Sequence, residues 1–364
     1  MQQNFIIFVK TNFMATFHPL KVKDIVRETK EAVSLCFDVP EALKAAYEFK
    51  AGQYLSIEAL IDGKNVRRDY SISASPNSGE LTVTVKEVDK GVFSTFANRK
   101  LKKGEVLNVA TPQGRFTFSA EIKSSKPIVA FAAGSGITPI ISIIKTVLEE
   151  TLDQNCILIY GNKTPDSTIF HKKLKALESD FKGRLNIQFM FSQARVSNAD
   201  FGRIDKLSAA AFIKNITDLQ NCAAFYLCGP EAMIQTVKSV LTDCQIPENK
   251  ILFELFTASE VAVDKNIENN LGAVKATILF DDASETITMA SDITILEAAL
   301  AEDLDVPYSC QGGVCSSCIC RIKEGTAEMR QNSILTESEV AEGLVLSCQA
   351  VPTSQKIYVD FDDV

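Results

Sequence analysis

The sequence of 364 residues lacks a segment suited to cross a membrane. Its most apolar run begins at Pro127, but two glycines and a proline interrupt it and Lys145 adds a charge, so a buried strand, turn and helix explain it better. The opening NFIIFV is too short for the apolar part of a signal peptide, and no basic residue precedes it. We therefore expect no membrane association.

Histidine is scarce, and the basic residues form no stripe or arm. The chain has two histidines, His18 and His171, and both lie far in sequence from its cysteine-rich part. A Rieske cluster, which needs two histidine ligands near cysteine ligands, is therefore disfavoured, and no Ser–His–Asp set for hydrolysis is present. The missing basic stripe argues against nucleic acid as a partner. Internal repeats and long polar tracts are absent too, so the length indicates two or three globular domains.

Cysteine, in contrast, is abundant, with ten residues, of which four fall within the stretch YSCQGGVCSSCICRI at 308–322. Three of these follow the spacing C-x4-C-x2-C, and another cysteine follows in LVLSCQA, which matches the ligand pattern of a plant-type 2Fe-2S cluster. The predicted ligands are Cys310, Cys315, Cys318 and Cys348. A structural zinc site is the main alternative, although a zinc ribbon would offer a second C-x2-C pair. A disulfide framework belongs to small secreted chains.

The surroundings of these cysteines support the cluster. Gly312 and Gly313 let the backbone wrap closely and turn its N–H groups toward sulfur. Cys320, a fifth thiol, is interpreted as a buried small residue because four ligands suffice. Cysteines that are reduced or metal-bound predict a cytoplasmic location.

Acidic charge is concentrated in the same part of the chain. Residues 274–364 hold 16 Asp and Glu against 5 Lys and Arg, a net charge of −11, whereas the whole chain carries −8. A solvated acidic surface explains this excess, and so does a docking face for a basic partner.

The pattern of residues changes along the chain. Residues 17–121 contain short alternating segments such as QYLSIEALI and LTVTVKEV between turn residues, which predicts a small antiparallel β-barrel or sandwich. Residues 122–256 alternate apolar strands, glycine turns and helices, which predicts an α/β domain with a parallel sheet. Residues 257–273 are polar without a clear period and are interpreted as a linker that precedes 274–364. Residues 1–16 are interpreted as an N-terminal extension, with Met14 as an alternative start.

In the α/β domain, the segment AAGSGITP lies where a strand meets a helix. Gly134 and Gly136 would allow a diphosphate to approach the backbone, and Pro139 suits the first helical turn. The motif departs from G-x-G-x-x-G at its last position, and an ordinary glycine turn explains it equally well.

Two other strand ends of this domain supply further candidates. YLCGPEAM places Cys228, Gly229 and Pro230 at the carboxyl end of a strand, where ligands of open α/β sheets bind. YGNKTPDS supplies Asn162 and Lys163, without an acidic residue directly at the strand tip. An acidic group there would pair with a ribose 2′-hydroxyl, whereas Lys163 suits a 2′-phosphate, which favours NADPH over NADH. A solvated surface lysine is the alternative for Lys163.

The barrel region carries two motifs with binding chemistry. In RRDYSIS, alternation places Arg68 and Tyr70 on one face of a strand and Ser71 on the other. Arginine can clamp a diphosphate, tyrosine can stack on a flat ring, and a hydroxyl such as that of Ser71 or Ser73 can bond a ring nitrogen. A strand with an aromatic core residue is the simpler alternative for this motif alone. GVFSTF adds a second phosphate-cradling candidate before a short helix: Gly91, Ser94 and Thr95.

The order of these motifs resembles the ferredoxin–NADP reductase family with a plant-type ferredoxin fused behind it. The motifs are R-x-Y-S, G-x-x-S, G-x-G-x-x-P, C-G-P and C-x4-C-x2-C with a distant fourth cysteine. The resemblance covers residues 14–364 and implies a multidomain protein: an antiparallel FAD-binding β-barrel, an α/β parallel-sheet NADP-binding domain and an α+β ferredoxin domain of the β-grasp type. Within the family, stretches such as QYLSIEA, AAGSGITPII and PYSCQGGVCSSCICRI resemble the reductase components of oxygenases that epoxidise the ring of phenylacetyl-CoA.

The resemblance implies roles for the candidate residues, with Tyr70 against the isoalloxazine ring and Ser71 near its reactive nitrogen. The predicted FAD-binding residues are Arg68, Tyr70, Ser71, Ser73, Gly91, Ser94 and Thr95. The predicted NADPH-binding residues are Gly134, Gly136, Thr138, Pro139, Asn162, Lys163, Gly229 and Pro230. The predicted catalytic residues are Ser71, Cys228 at the nicotinamide, and Glu254 in FELF at the end of the reductase module.

Electron counting predicts the order of the carriers. NADPH gives up a hydride, which is two electrons, and a 2Fe-2S cluster accepts one, so FAD must divide the pair. By resemblance, the acceptor is a di-iron oxygenase complex. One alternative is a reductase of another multicomponent oxygenase, such as a ring-hydroxylating dioxygenase or a steroid hydroxylase. A non-enzymatic metal-binding interaction protein on a degenerate reductase scaffold is the alternative from another class.

Overall fold

The computed structural model describes residues 16–119, 122–256, 271–280, 282–304, 306–308, 311–313 and 315–364. The predicted N-terminal extension, apart from Thr16, lies outside these residues. So do most of the predicted linker and the predicted cluster ligand Cys310. The domain boundaries drawn from the sequence stay predictions.

Among the described residues, the first sheet is built from β1 (Phe17–Thr29), β2 (Ala32–Asp38), β3 (Tyr54–Ile61), β4 (Lys64–Ser71), β5 (Leu81–Lys86) and β6 (Val106–Ala110). The strand order is β4-β3-β6-β1-β2-β5, and the pairs are antiparallel. The two outer strands meet because Ile72, directly after β4, bridges Val83 of β5. This contact closes the sheet into the predicted barrel. Helix α1 (Val92–Arg99) packs Phe93 and Ala97 into the barrel core.

The second sheet is parallel and consists of β7 (Ile128–Ala133), β8 (Cys156–Asn162), β9 (Leu185–Phe191), β10 (Asp200–Phe201), β11 (Ala224–Cys228) and β12 (Ile251–Glu254). Its order is β10-β9-β8-β7-β11-β12, so the chain runs outward from β7 to β10 and then returns to β11. The crevice between the carboxyl ends of β7 and β11 is therefore the switch point, where open α/β sheets bind ligands.

Four helices among the described residues cover this sheet: α2 (Ile137–Glu150), α3 (His171–Asp180), α4 (Lys206–Lys214) and α5 (Glu231–Asp243). The apolar residues of α2 and α3 pack into one core, and those of α4 and α5 pack into another, which places the two pairs on opposite faces. None of the helices in the described part of the chain is both long and apolar enough to cross a membrane.

The C-terminal part forms a mixed sheet with short helices: β13 (Ala273–Phe280), β14 (Ala283–Ala290), α6 (Ile295–Ala301), β15 (Ile319–Glu324), β16 (Ala327–Met329), α7 (Glu337–Ala341), β17 (Leu344–Leu346), β18 (Ala350–Pro352) and β19 (Lys356–Asp360). The main sheet has the order β14-β13-β19-β15-β17, and β16 pairs with β18 separately. The first and last strands, β13 and β19, lie side by side and parallel, with α6 packed on the sheet. This arrangement completes the predicted fold class of barrel, parallel α/β domain and α+β domain.

The three units do not share their cores equally. Phe116 and Phe118, which follow the barrel, belong to the same apolar core as α2 of the α/β domain. The ring of Phe116 also meets Tyr226 edge to face at 5.3 Å. In contrast, every described member of the C-terminal core lies between residues 271 and 361. The barrel and the α/β domain are therefore joined by apolar packing, whereas the C-terminal unit keeps a core of its own.

Candidate functional site

A cavity of about 1040 Å³ lies where the barrel, the α/β domain and the loop 311–318 of the C-terminal unit meet. We call this loop, of which 311–313 and 315–318 are described, the cluster loop. The lining brings together many of the predicted site residues, although they are far apart in sequence. Those in the lining are Arg68, Tyr70, Ser71, Gly91, Ser94, Gly134, Thr138, Gly229, Pro230, Glu254 and Cys315.

The three predicted catalytic residues are neighbours in space. Ser71 ends β4, and its hydroxyl donates a hydrogen bond of 3.1 Å to the Oε2 atom of Glu254. Glu254 ends β12 in register with Cys228 at the end of β11. The carboxylate therefore lies between a hydroxyl of the barrel and a thiol of the α/β domain.

Burial controls the protonation of this group. Burial raises the pKa of Glu254 to about 8, and the hydrogen bond from Ser71 lowers it only in part. Burial, reinforced by Glu254, also raises the pKa of the Cys228 thiol well above its usual value. Near neutral pH, both Glu254 and Cys228 are therefore protonated, and the site can hold a proton beside the cavity without a net charge.

Glycine is required at the switch point because the turn after β7 and the end of β11 approach each other closely there. A Cβ atom on Gly136 would lie 2.0 Å from the carbonyl oxygen of Cys228, and one on Gly229 would lie 2.8 Å from the Met233 side chain. Gly134 has a φ of +56° and Gly229 a φ of +159°. The backbone can therefore form the wall of the cavity, as a nucleotide diphosphate requires.

The barrel side of the cavity suits a flavin. The Tyr70 ring packs against Phe93 with centroids 5.3 Å apart, and burial keeps its pKa above the usual value, so the phenol stays neutral. Gly91 precedes α1 and no side chain caps that helix, so its first N–H groups stay available for phosphate. A Cβ on Gly91 would collide with the Ser94 hydroxyl at 2.3 Å. An aromatic wall beside an uncapped helix start fits an isoalloxazine ring with its diphosphate.

Lys86, at the end of β5, is a lining residue that sequence reasoning missed. Its Nζ atom lies 3.7 Å from the position of a Cβ on Gly134, and burial lowers its pKa, with Lys163 acting in the same direction and Glu31 opposing. Lys163 is outside the cavity lining but near enough to help lower the pKa of Lys86. Neighbouring Asn162 has a buried Nδ2 atom, and its side chain interacts with the Tyr160 hydroxyl, where it lowers the pKa that burial raises. Only the fold could place Lys86, since it lies on a strand of the barrel.

Several predicted binding residues lie away from the cavity lining. Ser73 bonds to the Thr84 hydroxyl at 2.9 Å and borders a smaller cavity of about 350 Å³ instead. Thr95 lies within α1, and Pro139 is buried in the first turn of α2. These three residues position the elements around the cavity, and their direct contact with a cofactor stays a prediction.

Two of the three predicted cluster ligands that the structure describes are close together. The sulfur atoms of Cys318 and Cys348 lie 3.3 Å apart, and both side chains are buried. Two sulfurs bound to one tetrahedral ion by bonds of about 2.3 Å lie roughly 3.8 Å apart, so this pair fits a shared metal ion. None of the nine described cysteines forms a disulfide. Cys315 faces the cavity next to Gly312, which puts the cluster loop beside the proposed flavin pocket.

No three His, Cys, Asp or Glu side chains of the described residues converge on a single ion position. A two-iron cluster needs two pairs of cysteines instead of one compact group, and Cys318 with Cys348 forms one such pair. The partner pair would be Cys315 and the undescribed Cys310. The described geometry therefore suits the plant-type cluster.

Three family models match consecutive parts of the chain. They describe an oxidoreductase FAD-binding domain over residues 19–118, an oxidoreductase NAD-binding domain over residues 131–239 and a 2Fe-2S iron-sulfur cluster binding domain over residues 279–353. Each matches one of the three units of the fold.

Two curated relatives match along nearly their whole length. One subunit of the 1,2-phenylacetyl-CoA epoxidase of Escherichia coli K12 is 36% identical over 351 residues, which cover 96% of this chain and 99% of that protein. The ferredoxin reductase component of 3-ketosteroid-9-alpha-monooxygenase from Rhodococcus rhodochrous is 30% identical over 351 residues, 94% of this chain and 96% of that protein.

Solved structures share the fold. A phthalate dioxygenase reductase superposes with a TM-score of 0.60 at 22% identity and covers 94% of this chain and 98% of its own. A type IV self-sufficient cytochrome P450 monooxygenase superposes with a TM-score of 0.70 at 18% identity over 94% of this chain and 41% of its own.

Proposed function

Because the chain belongs to the ferredoxin-reductase family in which an FAD-binding, an NAD-binding and a 2Fe-2S domain follow one another, we propose that it passes electrons from NADPH to a separate oxygenase component. It is an oxidoreductase with sites for FAD, NAD(P)H and a 2Fe-2S cluster. The observation that carries the proposal is that the ends of β4 and β12, the β7–α2 turn and the cluster loop all line one shared cavity.

The chemistry that the groups supply when bound is simple: flavin divides the two electrons of a hydride into single electrons, which suit a 2Fe-2S cluster. The residues of the chain bind and orient these groups and shield them from water. Tyr70 and Phe93 form the aromatic wall of the flavin pocket, and Arg68 supplies a cation for the FAD diphosphate. The start of α1 donates N–H groups to the same diphosphate.

The nicotinamide side is formed by the α/β domain. The lack of side chains at Gly134, Gly136 and Gly229 lets the NADPH diphosphate approach the protein backbone at the switch point. Lys163 together with Lys86 supplies positive charge for phosphate, which favours NADPH over NADH. The residues next to the reacting rings would be Ser71, Cys228 and Glu254. Ser71 holds its proton toward Glu254 Oε2, and Cys228 is buried at the end of β11 next to the lining residue Gly229.

The acceptor is proposed from the relatives. The 36% identity to a subunit of phenylacetyl-CoA epoxidase favours a di-iron epoxidase complex that acts on phenylacetyl-CoA. A steroid monooxygenase is the second candidate, because the reductase component of such an enzyme is 30% identical. We also propose a cytoplasmic location, since reduced thiols and an iron–sulfur cluster suit a reducing compartment.

The first test is an anaerobic visible spectrum of the purified protein, titrated with NADPH and separately with NADH. We expect flavin and 2Fe-2S absorption that both bleach, and that bleach faster with NADPH than with NADH. A reconstituted protein without either chromophore would refute the reductase function. Addition of purified oxygenase components then identifies the acceptor, because only the matching oxygenase should turn over its substrate with NADPH.

A further inference from the structure

The outer face of the β3–β4 hairpin is polar, although much of it is buried. On β3 the side chains of Leu55 and Ile57 belong to the barrel core, so Tyr54, Ser56 and Glu58 point to the opposite side. The facing residues of β4 in register are Ser71, Asp69 and Arg67. We define these six residues as the outer face of the hairpin. Tyr54 and Ser56 are only 5% and 3% exposed, so this polar face is covered.

The cluster loop contacts this face through a chain of hydrogen bonds. The Ser317 hydroxyl donates to Asp69 Oδ2 at 3.1 Å, and the Tyr54 hydroxyl lies 2.7 Å from the same Ser317 oxygen. Because Ser317 has one hydroxyl hydrogen and gives it to Asp69, the phenol of Tyr54 must donate to Ser317. Ser56 donates to the other oxygen of Asp69. Ser317 lies between the predicted ligands Cys315 and Cys318, so this network holds the loop that carries them.

Two further contacts support the same arrangement. The guanidinium of Arg67 lies 4.3 Å from the ring centre of Phe17 and 5.1 Å from that of Tyr308, which precedes the cluster loop. At the rim, Arg115 of the barrel side forms an ion pair with Glu339 of α7. These contacts between the barrel and the C-terminal unit are polar or cationic, and the described apolar core of that unit contains no barrel residue.

We propose that the outer face of the β3–β4 hairpin positions the cluster loop for electron transfer, with Tyr54, Ser317 and Asp69 as the positioning residues. This inference rests on the proposed function. The step that it serves would move one electron at a time from reduced flavin to oxidised cluster. Over the two transfers for each NADPH, the flavin would also release its ring N–H proton to solvent, and the cluster would pass its first electron to the acceptor before it takes the second. Since the contact consists of hydrogen bonds and ion pairs without a shared core, it can open, which lets the C-terminal unit reach a separate acceptor.

The test compares hydroxyl deletions on each side of the contact, in the full-length protein loaded with FAD and cluster. Ser317→Ala removes the central hydroxyl, Ser317→Thr restores it, and Tyr54→Phe removes the phenol from the barrel side. Tyr47→Phe is the matched control, because the Tyr47 hydroxyl donates to the Val109 carbonyl within the barrel. Rapid mixing with NADPH follows flavin bleaching and cluster bleaching separately.

We expect Ser317→Ala and Tyr54→Phe to slow cluster reduction about three- to tenfold, as the loss of one or two hydrogen bonds predicts. Flavin reduction, the KM for NADPH and the electron paramagnetic resonance spectrum of the cluster should stay the same. Ser317→Thr should recover most of the rate, and Tyr47→Phe should match the parent protein. Amide exchange in β3 and β4 should become faster in the two slow variants.

Unchanged cluster reduction and unchanged amide exchange in both variants would overturn the proposal. So would equal slowing of flavin reduction, or failure of Ser317→Thr to recover the rate, since either points to a general structural defect. If Ser317→Ala fails to assemble a cluster, Tyr54→Phe decides alone because it lies in the barrel. A parent protein whose flavin does not bleach with NADPH would refute the proposed function, whereas amide exchange would still test the contact.

Discussion

Replacement of Glu254 by glutamine should change how stability depends on pH. Burial raises the pKa of this carboxyl from 4.5 to about 8 in the folded protein. Between these values the unfolded chain releases the proton, whereas the folded protein retains it. The free energy of unfolding therefore has its full value below pH 4.5 and falls as pH rises through about 8.

The magnitude follows from the size of the shift. A pH of 7 is about 2.5 units above the pKa of this carboxyl in the unfolded chain. At 1.36 kcal/mol per unit, this difference corresponds to about 3 kcal/mol of unfolding free energy. Glu254→Gln cannot ionise and still offers an oxygen to the Ser71 hydroxyl. The difference in unfolding free energy between the variant and the parent should therefore change by about 3 kcal/mol between pH 4.5 and pH 7, in favour of the variant.

The assay is urea unfolding followed by circular dichroism at several pH values, with the infrared carbonyl band of protonated carboxyls as a local probe. The exposed Glu105 replaced by glutamine is the matched control. The protonated band should persist at pH 7 in the parent and in Glu105→Gln, and lose one component in Glu254→Gln. Parallel pH curves for all three proteins would refute the argument that burial keeps this carboxyl protonated.

Three further outcomes are expected. Gly136→Ala should destabilise the protein by about 3 kcal/mol or more in thermal melting, because its Cβ would lie 2.0 Å from a carbonyl oxygen of β11. The control is Gly183→Ala, whose Cβ would meet no atom within 4 Å. This variant should cost only the strain of its positive φ, about 1 kcal/mol. Lys163→Ala should raise the KM for NADPH about tenfold and leave that for NADH nearly unchanged in steady-state kinetics, as loss of a charge-assisted contact predicts; equal effects on both nucleotides would contradict a 2′-phosphate contact. Cys348→Ala should abolish the cluster absorption and keep the flavin, whereas Cys320→Ala should keep both; loss of the cluster in the Cys320 variant would reverse their assignment.

Local patterns were sufficient to predict much of the fold. Alternation in segments such as β3 and β5 predicted antiparallel strands, because side chains of a strand point to opposite faces in turn. Apolar runs followed by glycine predicted parallel strands, and β7 and β11 confirm this. Ligand binding at their carboxyl ends stays a prediction. The 2Fe-2S domain was predicted from cysteine spacing, since three ligands of a plant-type cluster lie in one short loop and a fourth follows farther along the chain.

The network around the cluster loop was not predictable from the sequence. Tyr54 and Ser317 are separated by 263 residues, and nothing in the two segments that contain them indicates that they meet. Lys86 was missed for the same reason, because its place beside Gly134 depends on how the barrel packs against the α/β domain. Such contacts join residues of different domains, whereas a spacing pattern gives information about one segment of the chain only.

The amino-acid sequence by itself thus determined the three units, the cofactor classes and the residue types at each strand end, because turn geometry and ligand spacing are local properties. Only the tertiary structure decided that Ser71 meets Glu254, that Lys86 faces the switch point, and that the cluster loop lies against the outer face of the β3–β4 hairpin. Those pairs are set by how separately folded surfaces pack together, and packing depends on the shape of whole domains.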